Sequence, residues 1–268
     1  MTQTIGIIGS GLSGSGLARL AVAAGYHVVL SNSRGPETIS HLVEELGPLA
    51  RAATVEEAIE AGELVAIPLP LANFEALSAG ELAGKVVIDQ TNYYPSAGEF
   101  RRADLDAGEL TSSELVQRHL RDSKVVKAFH NLDWHHLSFN ARPVGDPGRT
   151  TLPIAGDDPA AKELVTRFVE SVGYDVVDAG SLADSWRVEP NTPIYFWPYA
   201  PTIPNGLTED EEKKYYLEHA GEPLSREKAR ELIDKAERPS PIGGTLDGLP
   251  PAHVAIFLEL ASAGTWQR

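Results

Sequence analysis

The sequence of 268 residues has no cysteine, which excludes disulfide bonds, thiolate metal sites and cysteine nucleophiles. It is also poor in basic residues: 23 Lys and Arg stand against 38 Asp and Glu, giving a formal net charge of -15 at pH 7. A surface this acidic repels nucleic-acid phosphates and anionic lipids, so we expect neither nucleic acid nor a membrane as a partner. Any phosphate group that the protein binds must therefore be held by a local set of donors.

Long hydrophobic runs are absent as well. The longest apolar stretch, near residues 252–263, is far shorter than the ~20 residues of a membrane-spanning helix. The first residues lead directly into an apolar strand, without the basic and apolar regions of a secretory signal. We therefore expect a cytoplasmic protein.

Short β-branched runs alternate with segments of helical period as far as residue 177. This alternation is typical of a parallel sheet with crossover helices. The predicted strands are 4–8, 27–31, 49–52, 64–67, 86–89, 124–129, 151–155 and 175–177, and the main predicted helices lie near 17–24, 39–46, 112–120 and 159–171. The pattern predicts an α/β protein with a Rossmann-type, doubly wound and mostly parallel sheet.

The composition changes late in the chain. Closely spaced prolines among aromatic residues exclude helix interiors and central strands, so residues 187–206 are predicted to form an ordered arm rich in proline and aromatic side chains. Helices are predicted to follow, the first opening with the capping pair Thr208 and Glu211. We therefore divide the chain into a dinucleotide-binding domain, 1–185, and a C-terminal arm with a small helical region, 186–268, for the substrate cleft or dimer contacts.

A glycine-rich turn, G-x-G-x-x-G over residues 9–14, follows the first strand and opens the first helix. In a dinucleotide-binding unit Gly9 permits the tight turn, Gly11 lets the backbone approach a pyrophosphate, and Gly14 lets the helix pack close to the strand. Amides at the helix N-terminus add hydrogen bonds and partial positive charge. Because the turn lies in a β-α-β unit of about 30 residues, it predicts dinucleotide binding. The alternative is a glycine-rich turn in an unrelated α/β protein.

The end of the second strand carries an Asp or Glu in proteins that bind NAD, about 20 residues beyond the glycines. Here the sequence reads Ser31-Asn32-Ser33-Arg34, without an acid. Hydroxyl, amide and guanidinium donors suit a 2′-phosphate, which Arg can hold with two hydrogen bonds. These four residues therefore predict NADP rather than NAD, the alternative being a solvated Arg34 and a Ser33 that only caps the next helix.

Together with residues 66–68, 87–92 and 125–129, these segments resemble the deazaflavin-dependent NADP oxidoreductases, the coenzyme F-420:NADP oxidoreductase family. The resemblance covers about residues 5–177. It implies a Rossmann domain that binds NADP and a C-terminal part that closes a cleft over the deazaflavin F-420, so that hydride passes directly between stacked rings. It assigns the pyrophosphate to Gly9, Ser10, Gly11, Leu12 and Gly14, the 2′-phosphate to Ser33 and Arg34, and the nicotinamide side to Ile67, Pro68, Leu69 and Asn92.

The segment 130–136, after Phe129, departs from that family, whose members usually have an Asn-Thr pair there. The change falls where the second substrate should bind, outside the carboxyl ends of the strands. Hydride transfer to a flavin-like ring needs stacking and exclusion of water more than a proton donor. A carbonyl or imine acceptor would need a donor, for which the candidates by position are His130, His135, Tyr93, Tyr94 and Lys127. The histidines of this segment lack the helical spacing of a metal site, so we predict no metal and expect a packed loop.

The sequence therefore predicts an NADP(H)-dependent oxidoreductase that transfers hydride between NADPH and a deazaflavin or another small conjugated acceptor. Two alternatives stay open, namely an NADPH-dependent reductase of a carbonyl or imine and a non-catalytic module that senses NADP. The apolar last helix and the aromatic arm also lead us to expect a homodimer.

Overall fold

The computed structural model describes residues 3–95, 100–245 and 249–262, with side chains as far as 259. Within these ranges the strands are β1 (Thr4–Ile8), β2 (His27–Ser31), β3 (Ala50–Ala52), β4 (Leu64–Ile67), β5 (Val86–Asp89), β6 (Lys124–Lys127), β7 (Thr151–Gly156) and β8 (Asp175–Asp178). They form one sheet in the order β3-β2-β1-β4-β5-β6-β7-β8. All neighbours are parallel except β6 and β7, which are antiparallel. The predicted Rossmann-type, mostly parallel sheet is confirmed.

Helices connect and cover these strands. The α-helices are α1 (Leu12–Ala23), α2 (Ser40–Leu46), α3 (Val55–Ala61), α4 (Ala103–Asp106), α5 (Ser112–His119), α6 (Trp134–Phe139), α7 (Pro159–Ser171), α8 (Glu209–Glu218), α9 (Arg226–Asp234) and α10 (Pro251–Ser262). Short 3-10 helices lie at Pro36–Ile39, Leu71–Ala76, Leu182–Val188 and Trp197–Tyr199. In the described part of the chain, no helix is long and apolar enough to cross a membrane.

The sheet has a hydrophobic core on each face. Leu64 and Ala66 of β4 belong to one buried cluster, whereas Val65 and Ile67 belong to another. Since successive side chains of a strand point to opposite faces, both faces of the central strands are covered. This explains why the strands were recognisable as short continuous apolar runs rather than as alternating patterns.

The strand order places several loops at one edge of the sheet. β1 lies beside β4, although β2 follows β1 in the chain, so the order reverses between β1 and β4. Ligands of open α/β sheets bind at such a point, outside the carboxyl ends of the strands. The residues that follow β1, β4, β5 and β6 therefore meet at the edge where a dinucleotide and a second substrate are expected.

Two predictions about the region after β5 need correction. β6 ends at Lys127 rather than at 129, because Phe129 has a φ of 57° and leaves the extended conformation. Residues 130–136, expected to be a loop, instead run into helix α6. Asp133 is the reason: its Oδ1 accepts hydrogen bonds of 2.8 Å from the two amides that open the helix. Such a cap stabilises a helix that is too short to show an apolar period.

The arm at 187–206 follows the irregular course that its prolines predict, with one 3-10 turn at Trp197–Tyr199. It is packed firmly on the sheet. Val188 and Ile194 are fully buried in the same core as α1 and α7. The arm therefore lies against the Rossmann sheet as part of the fold.

The helices after the arm pack against one another and against earlier elements of the fold. α8 opens with the predicted capping box of Thr208 and Glu211, and α10 packs against it. α9 contacts β7 and β8 and buries Ala229 and Ile233. The division of the chain into 1–185 and 186–268 stays a prediction.

Candidate functional site

The glycine-rich turn joins β1 to α1 in a shape that other residues could not adopt. Gly9 has a φ of +127°, a backbone conformation that residues with a side chain rarely adopt. A β-carbon on Gly14 would lie 1.8 Å from the carbonyl oxygen of Gly9, so the helix can approach the strand only with glycine there. In contrast, no described atom lies within 4 Å of the position of a β-carbon on Gly11. The backbone of Gly11 is thus open to a close-fitting ligand.

The N-terminus of α1 is free to bind an anion. Gly11 is its N-cap and no side chain caps the helix. The first turn holds no acidic residue, and Leu12 and Ser13 begin a helix of 12 residues. Uncapped amides and the helix dipole favour negative charge at such an end. This arrangement fits a pyrophosphate.

Asn32 ties the loop after β2 to the glycine-rich turn. Its Nδ2 donates to the Ser10 hydroxyl at 3.2 Å, and its Oδ1 accepts from the Arg34 amide at 3.0 Å. Ser31 is buried, and its hydroxyl donates to the Ile7 carbonyl at 3.3 Å. Of the four residues predicted to favour NADP, these two hold the loop in place.

Ser33 and Arg34 are exposed at the tip of this loop. Within the described ranges, the Arg34 guanidinium makes no ion pair. The turn Pro36–Ile39 begins after Gly35 and takes no side-chain cap, so Ser33 does not cap it. Glu37, an acid that the sequence analysis overlooked, lies beside the tip with its carboxylate 2.6 Å from the position of a β-carbon on Gly35. The tip therefore offers a guanidinium and a hydroxyl close to one negative charge.

The end of β4 lies directly against the glycine-rich turn. The carbonyl oxygen of Pro68 is 3.0 Å from the position of a β-carbon on Gly9. Leu69 is partly buried, and its amide donates to the Ile67 carbonyl at 2.9 Å. The Ile67 side chain itself is enclosed in the core. Pro68 and Leu69 are therefore the residues of this segment near enough to the surface to line a nicotinamide site.

Unpartnered polar atoms collect beyond β5 and β6. In the described residues, eight buried side-chain nitrogen and oxygen atoms lack a hydrogen-bond partner, and six of them belong to Gln90, Thr91, Asn92, His130 and Asn131. An unpaired buried polar group costs about 1–3 kcal/mol, so such a cluster is unfavourable unless it serves a ligand. Asn92 and His130 were predicted from the sequence as site residues, whereas Gln90 and Asn131 were not. The polar run that follows a buried central strand was the available indication.

His130 sits in strained surroundings. It follows Phe129, whose φ of 57° is rare for a bulky residue. Its Nε2 lies 2.9 Å from the Val188 carbonyl and must donate to it, so Nδ1 carries only a lone pair. Burial and the nearby Lys127 ammonium hold the pKa of His130 well below its usual value of 6.5. His130 is therefore a neutral hydrogen-bond acceptor.

Lys127, a candidate proton donor by its position near a strand end, lies inside the protein. It is fully buried, and its ammonium donates to the Thr91 carbonyl at 2.9 Å and to two serine hydroxyls of α5. The carboxylates of Glu189 and Asp89 lie 3.4 and 3.9 Å away. Lys127 thus joins the sheet, α5 and the arm.

Two tyrosines that follow β5 have different surroundings. Tyr93 is buried, and its hydroxyl donates to Asp106 Oδ1 at 2.7 Å. The hydroxyl of Tyr94 instead pairs with that of Tyr195 in the arm. Asn92 Nδ2 donates to Tyr195 at 3.2 Å and to the His130 carbonyl at 2.8 Å. Asn92 thereby links β5, β6 and the arm at the predicted nicotinamide side.

The loop after Phe129 and the start of α6 carry several histidines and one acid. Across residues 3–95, 100–245 and 249–262, no group of three or more His, Cys, Asp or Glu side chains is arranged to hold a metal ion. The carboxylate of Asp133 instead accepts from His136 Nδ1 at 2.7 Å and from the Tyr216 hydroxyl at 2.6 Å. These contacts fasten α8 to α6.

The first part of the chain matches the model of a known family. Residues 4–93 match the family model described as NADP oxidoreductase, coenzyme F420-dependent. The F420-dependent NADP reductase of Methanocaldococcus jannaschii is 27% identical over 201 residues, which covers 69% of this chain and 87% of that protein. The metalloreductase STEAP3 of Rattus norvegicus is 30% identical over 187 residues, or 69% of this chain. The chain spans only 35% of the length of that metalloreductase.

A solved structure agrees with the fold. The hypothetical protein SMa0349 from Sinorhizobium meliloti has a TM-score of 0.63 and 30% sequence identity. The match covers 73% of this chain and 93% of that one. Each of these three relatives leaves more than a quarter of the present chain without a counterpart.

Proposed function

We propose that the protein is an enzyme that transfers hydride between NADPH and a small conjugated acceptor, because residues 4–93 match the family model of coenzyme F420-dependent NADP oxidoreductases. One observation carries the proposal. The open, uncapped glycine-rich turn lies at the same edge of the sheet as the buried polar atoms beyond β5 and β6. A phosphate site and a polar second site thus adjoin each other.

NADP fits the residues of the first site. The free amides of α1 and the open backbone of Gly11 suit its pyrophosphate, and Ser33 with Arg34 suits its 2′-phosphate. Asn32 keeps these two parts in register through Ser10. The reduced nicotinamide supplies a hydride when it is bound, which no side chain can do. The protein's part is to orient the ring, to exclude water and to bind the acceptor.

A deazaflavin such as coenzyme F420 is the proposed acceptor. Its ring system carries both N–H and C=O groups, and the second site offers matching atoms. Asn92 Oδ1, His130 Nδ1 and Asn131 Oδ1 can accept hydrogen bonds, whereas Gln90 can both donate and accept. The name of the matched family and of the M. jannaschii relative supports the same choice.

Reduction of a carbonyl or imine is the second candidate. It is favoured by the hydroxyls of Tyr94 and Tyr195 beside Asn92, because such an acceptor requires a proton as well as a hydride. A non-catalytic NADP-sensing module would bind NADPH without turnover of any acceptor. The expected homodimer and cytoplasmic location stay predictions. Trp197 and Leu258, which are among the exposed large apolar side chains of the described residues, could contact a second subunit in such a dimer.

The proposal is tested by mixing the purified protein with NADPH and oxidised deazaflavin and following the loss of both absorbance bands. NADH and a simple flavin serve as the control donor and acceptor. Turnover with NADPH and the deazaflavin is the expected result. If NADPH binds but the deazaflavin is not reduced, the acceptor is wrong, and carbonyls and imines are tested next. Absence of NADPH binding would contradict the proposal as a whole.

A further inference from the structure

A pair of phenols joins the two segments that frame the second site. Tyr94 follows β5 and Tyr195 belongs to the arm, and their hydroxyls are hydrogen-bonded to each other. Asn92 Nδ2 also donates to the Tyr195 hydroxyl at 3.2 Å. In the part of the chain that the structure describes, the two hydroxyls have no further partner. Both rings are partly buried.

The two phenols carry one more hydroxyl proton than their mutual hydrogen bond uses. Each hydroxyl carries one proton, and the bond between the two hydroxyls uses only one. The Nδ2 of Asn92 donates to Tyr195, and its Oδ1 has no hydrogen-bond partner, so Asn92 accepts nothing from either phenol. Whichever phenol donates to the other, one O–H is left without an acceptor. A donor in partly buried surroundings is expected to find one in a bound ligand.

Among the titratable candidates beside Asn92, His130, Tyr93 and Lys127 have no proton to spare. His130 Nδ1 is bare, because its proton is on the Nε2 that faces Val188. The Tyr93 hydroxyl donates to Asp106. The three protons of Lys127 are taken up by the Thr91 carbonyl and two serine hydroxyls. The Thr91 hydroxyl and the Gln90 amide also lack partners, but neither group commonly acts as a general acid. Among these titratable groups of the described residues, the phenol pair alone therefore keeps an unused proton beside Asn92.

We propose that the Tyr94–Tyr195 pair gives the acceptor the proton that it takes up on reduction. This assignment rests on the proposed function. The acceptor carbon gains a hydride, with its electron pair, as a C–H bond of the reduced nicotinamide breaks. The π electrons of the acceptor move to its nitrogen or oxygen, which takes the proton as the phenolic O–H bond breaks. Water then returns a proton to the phenolate, and the acceptor has gained two electrons and two hydrogens.

The surroundings keep the pair protonated until it is used. Burial raises the pKa of Tyr195 well above its usual value of 10, and the neighbouring Tyr94 and the carboxylates of Glu189 and Asp133 add to this increase. Burial also raises the pKa of Tyr94. At neutral pH both phenols are therefore intact hydrogen-bond donors. The pair is suited to a deazaflavin and to a carbonyl or imine, since each needs one proton at a heteroatom.

The test compares Tyr94→Phe, Tyr195→Phe and the double variant with the unsubstituted protein. Tyr199→Phe is the matched control, because Tyr199 is a buried tyrosine of the same arm whose hydroxyl donates to the Thr151 carbonyl. Each single variant retains one phenol and is expected to lower kcat by about tenfold, whereas the double variant lowers it by roughly 10²- to 10⁴-fold. The kcat of the double variant should also fall about tenfold for each unit by which the pH rises, because hydronium must then supply the proton.

Binding measurements provide a readout that is independent of turnover. Fluorescence titration should give the same NADPH affinity, within about twofold, for all variants, because the nucleotide contacts are untouched. The affinity for oxidised deazaflavin, measured in the same way, should be about twofold to tenfold lower in the double variant. This loss corresponds to one neutral hydrogen bond.

Two results would overturn the assignment, and they are distinguishable. If the double variant reduces the acceptor as fast as Tyr199→Phe does, with an unchanged pH profile, the pair is not the donor and the proposed function stands. If the unsubstituted protein binds NADPH but reduces neither deazaflavin nor a carbonyl or imine, the proposed function fails and the assignment fails with it.

Discussion

The ammonium of Lys127 lies 3.4 Å from the carboxylate of Glu189, in an ion pair that connects β6 to the arm. The Lys127 side chain is 0% exposed and that of Glu189 is 10% exposed. Removing one member of a buried pair leaves the other charge without compensation, which is strongly destabilising. The ion pair therefore binds the arm to the sheet directly below the candidate second site.

Lys127→Met is expected to lower the free energy of unfolding by about 3–5 kcal/mol, because Glu189 and Asp89 would both be left buried without their cation. Urea denaturation measures the change. Lys124→Met is the control, since Lys124 lies at the other end of the same strand in an exposed pair with Asp158. It should cost less than about 1 kcal/mol. Equal losses of unfolding free energy in the two variants would show that the buried ion pair contributes no more to stability than the exposed one.

Arg34→Ala is expected to weaken NADPH binding by about tenfold to a hundredfold, the value of hydrogen bonds to a charged phosphate, with little effect on NADH. Glu37→Gln should act in the opposite direction, because it removes the negative charge beside the same tip. Calorimetric titration measures both. Arg167→Ala, which removes an exposed arginine of α7, controls for the change in net charge. The same loss for NADPH and NADH would refute the assignment of the 2′-phosphate to this loop.

The glycines of the turn are expected to respond differently to alanine. Gly14→Ala places a β-carbon against the Gly9 carbonyl and should lower the free energy of unfolding by more than about 2 kcal/mol. In Gly11→Ala the added β-carbon would contact no described atom, so the free energy of unfolding should fall by less than about 1 kcal/mol. It should nevertheless weaken NADPH binding at least tenfold, because the methyl group would stand where the pyrophosphate approaches. Normal NADPH affinity in Gly11→Ala would contradict this placement.

Stability is expected to fall with acidification because of His130. Its pKa is held well below 6.5 by burial and by Lys127, so the folded protein keeps the ring neutral while the unfolded chain takes up a proton. Below about pH 6.5 the unfolded state binds more protons than the folded state. His130 alone then lowers the free energy of unfolding by up to about 1.4 kcal/mol for each unit by which the pH falls. Above that pH, His130 causes no pH dependence.

Urea denaturation between about pH 7 and about pH 5 tests this sign. His130→Gln should flatten the dependence, whereas His27→Gln, at an exposed position, should leave it unchanged. Part of the slope should persist, because burial also lowers the pKa of His253. A slope that His130→Gln does not alter would show that this ring is not buried in the neutral form.

The Rossmann sheet could be predicted because its information is local. Seven of the strands agree with their apolar runs to within one residue at each end, and the glycines at 9, 11 and 14 mark the turn directly. Helices α3 and α6 were not predicted, since six or seven residues do not establish an apolar period and their caps are the main indication. The overextended prediction for β6 failed because nothing in the sequence shows that Phe129 takes a positive φ.

The second site depends on contacts between distant parts of the chain. Asn92 and Tyr195 are 103 residues apart, and Ser112 and Glu189 are 77 residues apart. Local patterns give no indication of which residue of the arm meets which strand. Lys127 was therefore a candidate proton donor by position alone, although it is buried and its ammonium donates three hydrogen bonds. The spare O–H of the Tyr94–Tyr195 pair likewise follows from a contact between β5 and the arm, which no local pattern shows.

The most direct test of the central claim follows the hydride itself. NADPH stereospecifically deuterated at the reactive carbon of its nicotinamide is incubated with the protein and oxidised deazaflavin, and the product is analysed by mass spectrometry. Direct transfer between rings held in one orientation predicts that one of the two deuterated epimers passes its label to the product and that the other passes none. Label lost to water, or passed equally from both epimers, would contradict the account.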